Sequence, residues 1–250
     1  MNQKEAKPYP TGRFPSAEEE HRQRFDFISP NNPLLKTIRE KVNAAEIKRW
    51  GRNLPRNLLA LYYGVYFYNH LTGYTLFDQD DQPPIKIENE PYEHRSVFVQ
   101  DNLIYINLHT CLEEEEFTRS PLTEIEICEE PSVSAPAYII QILTGLEEAN
   151  HLHLGQLHRG HLPDFWNHSD HRFPKKLWQN SGNNPLGYRA KLWHEFAALT
   201  VQWVYLNHYV KNEFPETVDE FNYFYSRAKK MRTKWVKRKV KGLTTRTNFV

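Results

Sequence analysis

The sequence predicts an α+β fold, mostly helical, with a small and mainly antiparallel sheet. Long apolar runs with helical spacing occupy residues 55–70, 135–158 and 186–210. Short runs that alternate apolar with polar residues occupy 85–88, 96–100, 103–107 and 124–128. The first kind suits buried helix faces and the second half-buried strands, so length separates them. At 250 residues the chain can bury a sizeable core.

Residues 1–30 mix Pro, charge and a few aromatics and are expected to form an extended arm, with a helical turn near Ala17–Arg24. Pro33 opens a helix expected to run from Leu34 to Trp50 and to stop at Gly51. Pro55 opens a more apolar helix through Leu58, Leu61, Tyr62 and Val65 to about His70. Ile85 and Ile87 then alternate with Lys86 and Glu88. Ser96–Gln100 and Leu103–Asn107 flank Asp101-Asn102, whose tolerance of positive φ suits a two-residue hairpin loop. Glu113–Glu116 is expected to be a solvated loop or helix start, and Glu124–Cys128 a further strand. The apolar helix from Ala135 to His158 is central. After it comes a stretch rich in His, Asn, Pro and Trp, then a helix from Leu186 to about Val210 and a last helix from about Glu216. The expected organisation is an arm (1–30), one α+β domain (31–226) and a basic helix and tail (227–250).

The formal charge of +1 hides an asymmetry. From Arg227 onward there are ten Lys or Arg and no Asp or Glu, leaving 22 basic against 31 acidic residues before it, a net of −9. That polarity suits contact with an anionic partner or with the chain's own acidic surface. The two cysteines, Cys111 and Cys128, form no CxxC pair and no disulfide framework, which favours a reducing, cytoplasmic home. No signal-peptide pattern opens the sequence, and no run approaches the roughly 18 apolar residues of a membrane span. The expectation is a soluble protein with no membrane contact.

The chemistry concentrates at Glu147-Glu148-Ala149-Asn150-His151, in mid-helix between apolar residues. Glu147 and His151 are four apart and Glu148 and His151 three apart, so the three side chains are neighbours on the helix surface. A buried carboxylate needs a partner, and a cation or an imidazole can serve. An exposed helix face with an i,i+4 pair would also produce this pattern.

A hairpin reading Asp-Asn-Leu-Ile-Tyr-Ile-Asn, then a helix with Glu followed three residues later by His, resembles the zincin-like metallopeptidases over roughly residues 96–210. Their motif helix reads H-E-x-x-H, with two His holding zinc and Glu as general base. The resemblance implies a zincin-like fold and a metal-dependent hydrolase acting on a peptide or protein. It makes His151 a metal ligand, Glu148 the base, and Glu195, in Glu195-Phe-Ala-Ala198, the third ligand. This chain departs from the motif by placing Glu147 where the first His stands. Glu147, His151 and Glu195 form a harder, more anionic set, which moves the expected divalent metal from Zn towards Mn or Fe. A frame that has lost its metal and serves as a binding protein is the alternative.

Other candidates surround this set. His194 and His158 are possible further ligands or donors. His158-x-x-His161 and His168-x-x-His171 could wrap a metal or bond backbone groups. Glu148-x-x-His151 as half of a di-metal site lacks its second half, since His194 and Glu195 are adjacent. In the tail, Lys229, Lys230, Arg232, Lys234, Lys237, Arg238 and Lys239 surround Trp235. That pattern suits the phosphate backbone of a nucleic acid, an acidic protein partner, or a solvated helix docked through Met231, Trp235 and Val236.

Overall fold

In the structure, a computed structural model, the described residues are 33–41, 53–74, 76, 84–129, 132–157 and 192–246. The expected arm, residues 42–50 of the first helix, the His-rich stretch and the start of the 186–210 helix lie outside them. Two units divide the chain, one within Met1–Ile127 and Ser134–Gly160 and the other within Cys128–Val133 and His161–Val250.

The first unit is built on two apolar helices. Helix α1 (Pro33–Lys41) packs on α2 (Leu54–Thr72). Pro55 sits in the first turn of α2, where a missing N–H costs nothing. Gly73 ends the helix at φ 68°, its N–H donating to the Asn69 carbonyl at 3.0 Å. Most residues of α2 are buried, as expected of a helix that is apolar on most sides. Its partner is α5 (Ala137–Leu157). At their crossing Gly64 and Gly145 meet: a Cβ on either would run into a backbone carbonyl of the other helix and come within 3.1 Å of the other glycine's Cα.

Strands β1 (Ile85–Glu88), β2 (Val97–Gln100) and β3 (Leu103–Asn107) make a three-stranded sheet in the order β1-β3-β2. The hairpin is as expected: Asp101 and Asn102 take φ 50° and 60°, and Phe98 pairs with Tyr105. The sheet, however, is mixed rather than mainly antiparallel, because β1 runs parallel to β3, with Ile85 opposite Ile104. Residues 89–96 carry the chain to the far side, so β3 returns between two strands instead of extending a meander. Asn107 fixes that connection, donating to the carbonyls of Glu90 and Glu93 at 2.9 Å and accepting from the Glu90 N–H at 3.0 Å. Strands β2 and β3 pack on α5. A two-stranded ribbon of β4 (Glu124–Glu129) and β5 (Ser132–Pro136) leads into α5.

Between the sheets lie two single-turn helices, α3 (Leu108–Cys111) and α4 (Glu115–Thr118). The acidic run holds the expected helix start, α4 opening at Glu115, but it is only partly solvated. Asn57 donates to the carbonyls of Phe117 (2.8 Å) and Arg119 (3.0 Å), and Gln141 donates to that of Glu116 (3.3 Å). These bonds hold α4 against α2 and α5 and draw Glu114 and Glu116 half under cover. Burial, reinforced by Glu114, pushes the Glu116 carboxyl up to about 7.

In the second unit α6 (Trp193–Tyr205) continues through a π-helical turn (Leu206–Val210). Pro215 then opens α7 (Pro215–Arg246), which packs on both. A polar knot ties α7 to α6: Trp203 Nε1 donates to Asn222 Oδ1 at 2.6 Å, and Asn207 and Asn222 exchange amide hydrogen bonds at 2.9 and 3.1 Å. Among the described residues no helix is long and apolar enough to cross a membrane.

Candidate metal centre

Helix α5 supplies two of the expected ligands. Its first turns are buried on all sides, from Ala137 through Leu143, and Leu146, Ala149 and Leu152 continue the core face. Burial of that face leaves the polar residues of the same turns no route to full solvent. His151 is 4 % exposed and the Glu147 side chain 16 %, so the pair is not an exposed helix face. Its Nε2 stands 4.0 Å from Glu147 Oε1. At about 100° per residue, position 151 lies roughly 40° round the helix from Glu147 and roughly 60° from Glu148, so it falls between the two on the helix surface.

Glu148 is half-buried, and its charge reaches Arg95, just ahead of β2. That guanidinium is held by Glu93, with Nε and Nη2 each donating to a carboxylate oxygen at 2.8 Å, and lies 4.0 Å from the centre of the Phe98 ring. The bidentate pair holds the Glu93 carboxyl down at about 2. The sequence reading passed over Arg95. Only the register of β2 beside α5 brings it near Glu148, and no spacing rule reports that.

In the second unit the first turn of α6 carries the other candidates. His194 and Glu195 are both buried, at 5 % and 8 % exposure, with Nε2 and Oε1 3.3 Å apart. The Trp193 ring meets the His194 ring edge-on at 6.0 Å between centroids. Glu147, His151 and Glu195 are a His/Glu/Glu set of donors that could hold a metal ion.

A second polar group on α5 was also missed. Tyr68 Oη lies 2.7 Å from His153 Nδ1 and 3.3 Å from Asn150 Oδ1, and the Tyr74 ring stacks on His153 at 3.6 Å. Burial lowers the His153 pKa, which favours the neutral ring. The signal available in the sequence was the helical offset of Asn150 and His153 towards the tyrosine-rich α2.

The remaining candidates divide. His158 lies outside the described residues. Lys229, Lys230, Lys234 and Lys237 are exposed on α7. Arg232 is not: it lies over the Phe196 ring, 5.1 Å from its centre, and burial lowers its pKa. It belongs to the packing of α7 on α6 rather than to a free basic face. The side chains of Arg238 and Lys239 fall outside the description. Comparison with family models, with characterised proteins and with solved structures gives no match.

Proposed function

We propose that the protein is a divalent-metal-dependent hydrolase of the zincin-like kind, with Glu147, His151 and Glu195 as ligands and Glu148 as general base. The observation that carries this reading is the buried Glu147–His151 pair. Its 4.0 Å separation is long for a hydrogen bond, yet within the span of about 4.2 Å that two ligand bonds of about 2.1 Å can bridge. Two carboxylates and an imidazole make an anionic donor set whose charge a divalent cation would offset. Oxygen-rich ligation favours Mn or Fe beside Zn.

The ion would supply Lewis acidity and lower the pKa of a bound water. The chain's own groups do the rest. Glu148 accepts a proton from the attacking water and returns it to the leaving nitrogen. Arg95, held by Glu93, lies within electrostatic reach of Glu148. Strand β2 is the terminal strand of its sheet and packs on α5, which suits an extended peptide added alongside it.

Glu148→Gln should retain the metal and lower turnover of a peptide substrate by about 10²–10⁴-fold, whereas His151→Ala should lose both metal and turnover. Full activity in Glu148→Gln would overturn the mechanism.

A further inference from the structure

The metal centre makes no use of α7, the longest helix of the second unit. Its packed face is formed by Val218, Phe221, Phe224 and Ala228, all buried, and Arg232 closes it over Phe196. The opposite face has a different composition. Tyr223, Arg227, Lys230, Lys234 and Lys237 follow one another at steps of four, three, four and three, so they form one ridge along the helix. All five are exposed, and Tyr223 is 57 % exposed. The Arg227 guanidinium stands 5.7 Å from the Tyr223 ring centre, so the first cation and the aromatic make one platform. The carboxylates of α7, Glu216, Asp219 and Glu220, all precede this ridge, and no acidic residue follows Tyr223.

Lys86, Arg95 and Arg119, in the first unit, are neutralised by neighbouring Glu88, Glu93 and Glu115. The ridge concentrates unlike-composed surface: four cations in line with an open ring, in a chain whose remainder is net acidic. A regular row of cations suits a regular row of anions, and an exposed aromatic in the same row suits a base with an open π-face. A paired duplex hides that face. We propose that this ridge of α7 binds single-stranded nucleic acid, with Arg227, Lys230, Lys234 and Lys237 on successive phosphates and Tyr223 stacked on a base. The site is independent of the metal centre and reads no sequence.

The test is fluorescence anisotropy of a labelled mixed-sequence single strand of about 20 nucleotides with the full chain, titrated from 50 to 200 mM salt. Four phosphate contacts give a slope of log Kobs against log salt near −2.8, a loss of roughly 50-fold over that range. Replacing the four cations by Gln should flatten the slope and abolish binding at 200 mM. Circular dichroism of that variant checks that the helix persists. Tyr223→Ala should weaken binding several-fold with the slope unchanged, because stacking releases no counterion. The assignment is overturned by no binding at 50 mM salt, or by a slope the Gln variant leaves intact. Equal binding to polyglutamate or to anionic vesicles would assign the ridge to an acidic protein or a lipid surface instead. Tighter binding to a duplex, unaffected by Tyr223→Ala, would overturn the single-strand claim.

Discussion

Replacing Glu116 by Gln should stabilise the protein above neutral pH and leave it nearly unchanged in acid. The carboxyl sits on α4, pressed on α2 and α5, with Glu114 beside it, and it titrates at about 7 against an ordinary 4.5. A carboxyl whose folded-state pKa exceeds its unfolded value holds its proton more tightly in the folded chain. Its contribution to stability is therefore complete below pH 4.5 and lost as pH rises through 7. The rise from 4.5 to about 7 corresponds to about 3 kcal/mol. Glutamine has nearly the same shape and stays neutral, so the variant lacks this loss. Urea unfolding of both proteins at pH 4.5, 6, 7 and 8, followed by tryptophan fluorescence, reads the effect as a difference in which other titrations cancel. Expected is a gain in the variant of about 3 kcal/mol at pH 8, shrinking towards zero at pH 4.5. A pH-independent difference, or a variant less stable at pH 8, would refute the buried-carboxyl argument.

Gly145→Ala should destabilise the fold even though alanine is the better helix former. The added Cβ meets the Leu61 carbonyl, so α2 and α5 must part. Overpacking of about 1–3 kcal/mol outweighs a propensity gain of about 1 kcal/mol, and thermal melting should show a lower Tm. Because Gly145 lies two residues before Glu147 and three before Glu148, the same variant should weaken the proposed metal binding; unchanged stability would show that the two helices can part without cost. Cys111 is buried, and burial with Glu114 and Glu116 nearby pushes its thiol well up. In a Cys128→Ser background, native protein should react with a thiol reagent many-fold more slowly than unfolded protein. Equal rates would contradict its burial.

Elements governed by local chemistry were legible in the sequence. Asp101-Asn102 announced its hairpin because only a few residues accept positive φ in sequence, and Pro55 marked the start of α2 by its fixed φ. Glu147, Glu148 and His151 fell on one helix surface because their spacing alone decides it. What depended on other elements was not legible. The parallel pairing of β1 with β3 follows from where residues 89–96 lead the chain, which periodicity does not encode. The burial of Glu114 and Glu116 follows from Asn57 and Gln141 reaching across from other helices. Arg232 looked like one more cation of a basic run until Phe196, a helix away, covered it.

The most direct test of the metal centre is elemental analysis of the protein purified without chelator and then equilibrated with Zn, Mn or Fe(II). Wild type would be compared with His151→Ala and Glu195→Ala. Near-stoichiometric metal in wild type that both substitutions remove is the predicted result. Metal absent from wild type under all three ions, or retained by both variants, would contradict it.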